Sequence, residues 1–408
     1  MNRLMQGDVG SGKTIIAILA SAISVSNKVQ VAIMAPTEIL ANQHFRSFKK
    51  YTDSAQISCA LLVGGMPAKE RNKILSGLKN HKIDIVIGTH ALIQKDIEFN
   101  SLGLVVVDEQ HRFGVNQRNL LIQKGINPHL LSMTATPIPR TLAITYHGDM
   151  DLSVIDEIPK NRIPVVTKMV DEKRLNKVYS FIIDEVKAGK QCMIVHPLIE
   201  ESEKSDLLAA IDMYDTLSTT VFKELNVGLL HGRQDKLQKE KIMHDFSKNK
   251  INILLSTTVI EVGIDVPNAT VMLIENAERF GLIQLHQLRG RVGRGSKKSY
   301  CILVQRKITE QSKKRLEIME STNDGFKISD EDLKMRGPGE FFGIKQSGFF
   351  NFKIADLLLD GDMVKDARTA AEKILNNNLD ALRHSHQNIY NELLRLYKDR
   401  LGQLLPKG

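Results

Sequence analysis

Close to the start of the chain, GDVGSGKT (Gly7–Thr14) fits the pattern G-x-x-x-x-G-K-[ST], and the residues from Ile15 to Ala22 suit a helix. A loop of this kind wraps backbone N–H groups around phosphates at a helix N-terminus, where the helix dipole also favours negative charge. It therefore needs a strand before it, of which RLMQ is the tail, and a helix after it. Gly7 opens the turn, and Gly10 and Gly12 let the backbone approach a phosphate closely. Lys13 is placed to reach the β- and γ-phosphates of a nucleotide and Thr14 to ligate Mg²⁺. A chance glycine-rich turn is the plain alternative, and the helix that follows counts against it.

The pattern downstream agrees with such a fold. VQVAIMAP, IDIVIGT and LGLVVVDE are short apolar runs rich in Val and Ile, separated by amphipathic stretches such as EILANQHFRSFKKY. Strands alternating with helices indicate βαβ units and a parallel sheet. At GDMDLSVIDEIPKNRIPV the pattern weakens, and Pro159 and Pro164 bracket a polar turn, read as an inter-domain linker. The alternation restarts with QCMIVHPL, NVGLLHG, INILLSTT, ATVMLIE and SYCILVQ, a second α/β unit without a phosphate loop. Beyond Arg306 the strands stop. TEQSKKRLEIMES reads as a helix, NDGF as a turn, Ser329–Asp332 as a capping box opening another helix, and Phe352 to Leu405 as a helical tail.

A nucleotide site also needs carboxylates at the end of an apolar strand, and LGLVVVDEQH supplies them. Asp108 can hold Mg²⁺ and Glu109 can polarise the attacking water, which is enough in kind because phosphoryl transfer asks mainly for positioning and charge neutralisation. In the second unit, QLHQLRGRVGR carries Arg289, Arg291 and Arg294 around Gly290 and Gly293. Arginines reach phosphates with a planar fork. A solvated basic helix is the bland reading of that run. It loses ground because one unit has the loop without such arginines and the other the arginines without a loop. Two halves completing one site across a cleft explain both. STTVIEVGIDVP adds hydroxyls and Asp265 near that cleft, and His231, Gly232 and Arg233 end another strand.

The totals agree with an enzyme acting on a polyanion without requiring it. The chain has 408 residues, enough for two or three domains, and a formal charge of +9. Its three cysteines, Cys59, Cys192 and Cys301, lack metal-ligand spacing and suit a reducing, cytoplasmic setting. No apolar run approaches a membrane span.

GDVGSGKT, APTEILANQH, DEQHRFGV, TATPIPRTL, HGR, STTVIEVGIDVPNA and QLHQLRGRVGR stand in the order of superfamily 2 helicase motifs I, Ia, II, III, IV, V and VI. Their spelling resembles the RecG family of bacterial ATP-dependent DNA helicases, which remodel branched DNA. NDGFKISDEDLKMRGPGEFFGIKQSG is similar to that family's TRG region, which couples lobe closure to movement on duplex DNA. The resemblance implies two RecA-like parallel-sheet lobes of the P-loop NTPase kind, then a helical hairpin and a helical tail. The expected divisions are 1–150, 151–306, 307–350 and 351–408. ATP and Mg²⁺ are the implied cofactors, double-stranded and branched DNA the implied partner, and a monomer the implied state.

By the same resemblance Lys13, Asp108, Glu109, Arg291 and Arg294 are catalytic, the two arginines as fingers. Gly7, Gly10, Gly12, Lys13, Thr14, Gln110 and Asp265 bind nucleotide, with Asp265 near the ribose, and Thr14 and Asp108 bind the metal. Pro36, Thr37, Glu38, Gly88, Thr89 and His90 border the nucleic-acid track. Gln110, His111, Thr134 and Thr136 link nucleotide state to the lobe interface, and Arg336 and Gln346 belong to the coupling loop. The family also carries a wedge domain and an adenine-reading segment ahead of the phosphate loop, so the early loop reads as a truncation. The nearest rival is a transcription–repair coupling translocase, from which DEQH and HPLIEESEKSD point away. A duplex-binding module without catalysis is the rival of another class.

Overall fold

The computed structural model describes residues 1–136, 150–157, 159, 163–197, 203–257, 266–295, 297–307, 309–341, 360–376 and 386–397. The first lobe runs β1 (Asn2–Gly7), α1 (Lys13–Ser26), β2 (Gln30–Met34), α2 (Glu38–Thr52), β3 (Cys59–Leu62), α3 (Ala68–Lys79), β4 (Ile85–Gly88), β5 (Leu102–Val107), α4 (Val115–Ile122), β6 (His129–Thr134) and β7 (Asp151–Ile155). These strands form a seven-stranded sheet in the order β3-β4-β2-β5-β6-β1-β7. Every pairing in it is parallel.

Apolar runs become such strands because both faces are covered. Val31, Ile33, Ile85, Ile87, Leu104 and Val106 pack with Ala17, Ala41 and Phe48 of α1 and α2. Their alternates Ala32, Met34, Val86, Val105 and Val107 pack with Leu78 of α3 and Leu121 of α4. With neither face wet, the period-two alternation of a half-exposed strand disappears into continuous hydrophobicity.

The second lobe runs β8 (Val166–Asp171), α5 (Leu175–Lys187), β9 (Gln191–Val195), α6 (Glu203–Thr216), β10 (Val227–Leu230), α7 (Lys236–Ser247), β11 (Ile253–Ser256), β12 (Ala269–Ile274), α8 (Leu282–Arg289) and β13 (Tyr300–Gln305). Its six strands are ordered β10-β11-β9-β12-β13-β8, again all parallel. Among the described residues the helices α9 (Glu310–Ser321), α10 (Gly325–Phe341), α11 (Gly361–Asn376) and α12 (Gln387–Tyr397) follow. Among the described residues no helix is long and apolar enough to cross a membrane.

The structure corrects several sequence expectations. Asp151–Ile155, read as linker, is β7 and pairs with β1 from Arg3↔Asp151 to Gly7↔Ile155. RLMQ is accordingly part of a full strand, held by β6 on one side and β7 on the other. Strands β3, β6 and β8 were not among the expected runs. Ser132 and Thr134 interrupt the apolar character of β6, and β8, at a sheet edge, buries only Thr167 fully. Helix α10 starts before the expected Ser329 cap, at Gly325; Asp324 accepts the N–H groups of Phe326 at 2.9 Å and Lys327 at 3.3 Å instead.

Nor do the strands end the second lobe. Both sheets lie in one compact unit, Met1–Pro139 with Asp149–Met335, while Arg336 onward belongs to another. Leu316 and Met319 of α9 and Ile328 of α10 lie in the core beneath the second sheet. Of the helical tail, α11 and α12 are described.

The two sheets share one turn. After β5, Glu109 adopts left-handed angles (φ 49°, ψ 54°), Gln110–Arg112 make a 3₁₀ turn, and the Gly114 N–H reaches Gln117 Oε1 at 3.2 Å. After β12, Asn276 adopts φ 47°, ψ 49°, Ala277–Arg279 make the 3₁₀ turn, and the Gly281 N–H reaches Gln284 Oε1 at 3.1 Å. DEQHRFG in the first lobe thus stands where ENAERFG stands in the second. The turn is common, and so is its leading carboxylate (Asp108, Glu275); the second carboxylate is not, since Asn276 stands where Glu109 does.

Candidate active site

Because all strands of the first sheet are parallel, the turns after β1, β2, β4, β5 and β6 emerge at one edge, where α/β folds bind ligands. The phosphate loop follows β1. Gly10 (φ 78°) and Gly12 (φ 100°) take backbone angles that a side chain disfavours. A Cβ on Gly7 would lie 2.5 Å from Ser11 Oγ and 3.2 Å from the Ile155 carbonyl, so a side chain there crowds the loop. Lys13 turns back into the loop, its Nζ donating to the carbonyls of Gly7 and Asp8, both at 2.8 Å. Burial lowers the Lys13 pKa from the ordinary lysine value; Glu109, Asp108 and Asp8 pull it up and Arg294 adds to the lowering.

The carboxylates follow β5. Asp108 Oδ2 lies 2.7 Å from His44 Nε2, and Oδ1 accepts the Glu109 N–H at 3.0 Å. Burial works to raise its pKa, but the His44 hydrogen bond and charge, Lys13 and the Glu109 N–H together hold it below the usual carboxylate value. Glu109 goes the other way. Burial and the Asp108 charge push it to about 7, against the Ala135 N–H, Lys13 and Arg291. Two adjacent carboxyls thus have opposite tendencies, one kept anionic and one poised to exchange a proton.

The residues after β6 hold Glu109 in place. The Ala135 N–H donates to Glu109 Oε2 at 3.3 Å, and Thr134 Oγ1 and Thr136 Oγ1 lie 2.7 Å apart. Thr136 Oγ1 is 3.5 Å from His111 Nδ1, itself 3.7 Å from Glu109 Oε2. Burial and Arg112 push the His111 pKa down to about 4, against the pull of Asp108, so this contact is not an ion pair at neutral pH. Gln110 is buried beside them.

Toward β2 and β4 lie the residues expected to border a nucleic-acid track. Thr37 caps α2 by accepting the Leu40 N–H at 3.4 Å, between partly buried Pro36 and Glu38. Gly88 ends β4, where a Cβ would meet the Leu62 carbonyl at 2.2 Å; Thr89 is buried and His90 exposed.

The second lobe contributes the end of α8. A Cβ on Gly290 would lie 3.0 Å from Val9 Cβ, so this helix end is seated on the phosphate loop. Arg294 Nε donates to the Gly290 carbonyl at 3.2 Å. The charges of Arg294 and Arg291 reach Lys13 and Glu109, respectively. Arg289, the third arginine of the run, points into the second lobe, donating to the carbonyls of Met319 and Thr322 at 2.8 Å and to Thr167 Oγ1 at 3.3 Å. Its work is structural.

Asp265 and Gln346 lie outside the described residues, and Arg336 is exposed on α10. Sequence reasoning missed Asp8, His44 and His286. Asp8 and His286 sit inside quoted motifs as ordinary variable letters. His44 had a signal, a polar residue on the Ala41–Phe48 face of an amphipathic helix.

The site suits a magnesium nucleotide. Ser11 Oγ is buried in the loop without a hydrogen-bond partner, a hydroxyl that a bound phosphate would satisfy. Thr14 and Asp108 are oxygen donors of the kind Mg²⁺ takes, and the few protein ligands match an ion that keeps several waters.

Comparisons with known proteins agree in register. Residues 1–145 match the DEAD/DEAH box helicase family, 173–296 the helicase conserved C-terminal domain, and 322–402 the C-terminal part of domain 3 of the ATP-dependent DNA helicase RecG. The chain is 52% identical over 374 residues to the ATP-dependent DNA helicase RecG of Thermotoga maritima, covering 92% of this chain and 48% of that protein. It is 51% identical over 375 residues to that of Bacillus subtilis, covering 92% and 55%. A structure of RecG bound to a three-way DNA junction superposes with a TM-score of 0.73 and 49% identity, over 90% of this chain and 47% of the other. The chain spans about half the length of the curated relatives it matches.

Proposed function

The chain belongs to the RecG family over the half of those proteins that it spans, and from that premise we propose that it is a motor that hydrolyses ATP to move on branched duplex DNA. The observation that carries this reading is the meeting of unlike halves. The phosphate loop and the Asp108–Glu109 pair come from one lobe, and the end of α8 that leads into Arg291 and Arg294 is seated on that loop from the other, through Gly290 against Val9 and His286 on Asp8.

The loop N–H groups and Lys13 bind the phosphates. Thr14 and Asp108 would hold Mg²⁺, which would supply positive charge to offset that of the phosphates. Glu109, whose pKa lies near neutrality, orients the attacking water and takes its proton. Arg291 and Arg294 stabilise the charge that builds up in transfer. The Ala135 N–H on Glu109 gives the β6 turn a direct hold on the base, so a movement of that turn with DNA would alter turnover.

DNA lies across the Pro36–Glu38 and Gly88–His90 turns, and Arg336 and Gln346 transmit closure to it. Such a motor serves DNA repair and recombination in the cytoplasm. Both halves of the site come from one chain, so a monomer suffices.

Steady-state ATP hydrolysis by the chain, alone and with linear duplex or a three-way junction, tests the reading. Turnover stimulated by DNA, and lost in Glu109→Gln, is the expected result. DNA binding without turnover would make the chain a binding module instead.

A further inference from the structure

His44 lies on the buried face of α2, between Ala41 and Phe48, both fully buried. Packing alone would favour Leu or Met there, because a buried imidazole costs stability unless its nitrogens find partners. The partner it finds is Asp108, at 2.7 Å across 64 residues of sequence. The other Asp108 oxygen is taken by the Glu109 N–H at 3.0 Å, so both ends of the carboxylate are held and its plane cannot turn. α2 is anchored by Ala41 and Phe48 in the core, so the imidazole is a rigid support.

We propose that His44 is a positioning residue that sets the Asp108 carboxylate in the orientation needed to hold Mg²⁺ at the nucleotide site. The proposal rests on the reading of Asp108 as a metal-holding group. Partners that orient a ligating side chain contribute about 10–100-fold to metal affinity. Loss of His44 therefore acts on the metal requirement, and leaves metal-free nucleotide binding by the loop and Lys13 in place.

The test is equilibrium binding of a fluorescent ATP analogue to the full chain, with Mg²⁺ titrated from zero and EDTA as the metal-free reference. His44→Leu shifts the Mg²⁺ midpoint upward about 10–100-fold with metal-free affinity unchanged. His44→Gln, whose Nε2 can replace the imidazole Nε2, stays within a few-fold of the parent. Should His44→Leu fail to fold, His44→Asn, with a shorter amide that cannot reach Oδ2, takes its place against His44→Gln. A folded His44→Leu or His44→Asn with an unshifted midpoint overturns the proposal, as does a Gln variant shifted as far as Leu. Asp108→Asn separates the two layers: if it leaves the midpoint unmoved, the metal reading of the site fails, not only the role of His44.

Discussion

His286 Nε2 lies 2.7 Å from Asp8 Oδ1, joining the two lobes across 278 residues of sequence. Arg289 donates to the other ring nitrogen, Nδ1, at 3.0 Å; an arginine can only donate, so the imidazole proton sits on Nε2 and is given to Asp8. A side chain of the phosphate loop thus grips the helix that delivers Arg291 and Arg294. In a double-mutant cycle with Asp8→Ala and His286→Ala, the pair shows a coupling of about 1–3 kcal/mol in thermal or urea unfolding. Strict additivity would mean that the contact contributes nothing to lobe closure.

Glu109 carries a second cost. It sits at φ 49°, where a side chain other than Asn, Asp or Gly is strained, and the matching position of the second lobe holds Asn276 at φ 47°. The lobe without carboxylate chemistry uses the residue that suits the turn, and the lobe with it keeps the residue that does not. Glu109→Asn should therefore stabilise the protein by about 1 kcal/mol or more while abolishing turnover. A destabilised Glu109→Asn variant would show that the turn is not under strain.

Stability and catalysis also part over pH. The Glu109 carboxyl is raised from 4.5 to about 7 in the folded chain, so its contribution is full below the unfolded value and lost as pH rises through the folded one. Without metal and nucleotide, the melting temperature should decline across that interval, and Glu109→Gln should flatten this part of the profile. Turnover climbs over the same direction of pH, because the base must be ionised. Its acid limb shifts to lower pH with Mg²⁺ bound, since the cation favours the carboxylate.

Arg289 and Arg294 look alike in QLRGRVGR yet should fail differently. Arg289 is buried with two carbonyls and a hydroxyl dependent on it. Arg289→Ala should cost about 3 kcal/mol or more in chemical denaturation, and Arg294→Ala about 1 kcal/mol or less. Equal losses would remove the distinction between them.

These contrasts mark what could be read from residues alone. GDVGSGKT and VVVDEQH announce themselves because phosphate and metal chemistry restrict residue type at fixed spacing. The strands of both sheets were legible where both faces are buried and the run is apolar throughout, as in VQVAIM and ATVMLI, whereas Ser132 and Thr134 hid the equally buried β6. β7 and β8 were not, because each lies at an edge with fewer neighbours to demand apolar residues. Nor did any local rule reveal that Asp8 meets His286, that His44 meets Asp108, or that Arg289 differs from its neighbours. Those are facts of long-range packing, and only the fold supplies them.

The central claim is that one lobe binds the nucleotide and the other completes the reaction. The direct measurement is single-turnover ATP hydrolysis beside nucleotide affinity for Arg294→Ala and Arg291→Ala, with a three-way junction present. A fall in the hydrolysis rate of about 10³-fold or more, with ATP affinity within a few-fold of the parent, is the predicted result. Unchanged hydrolysis in both variants would contradict a site shared between the lobes.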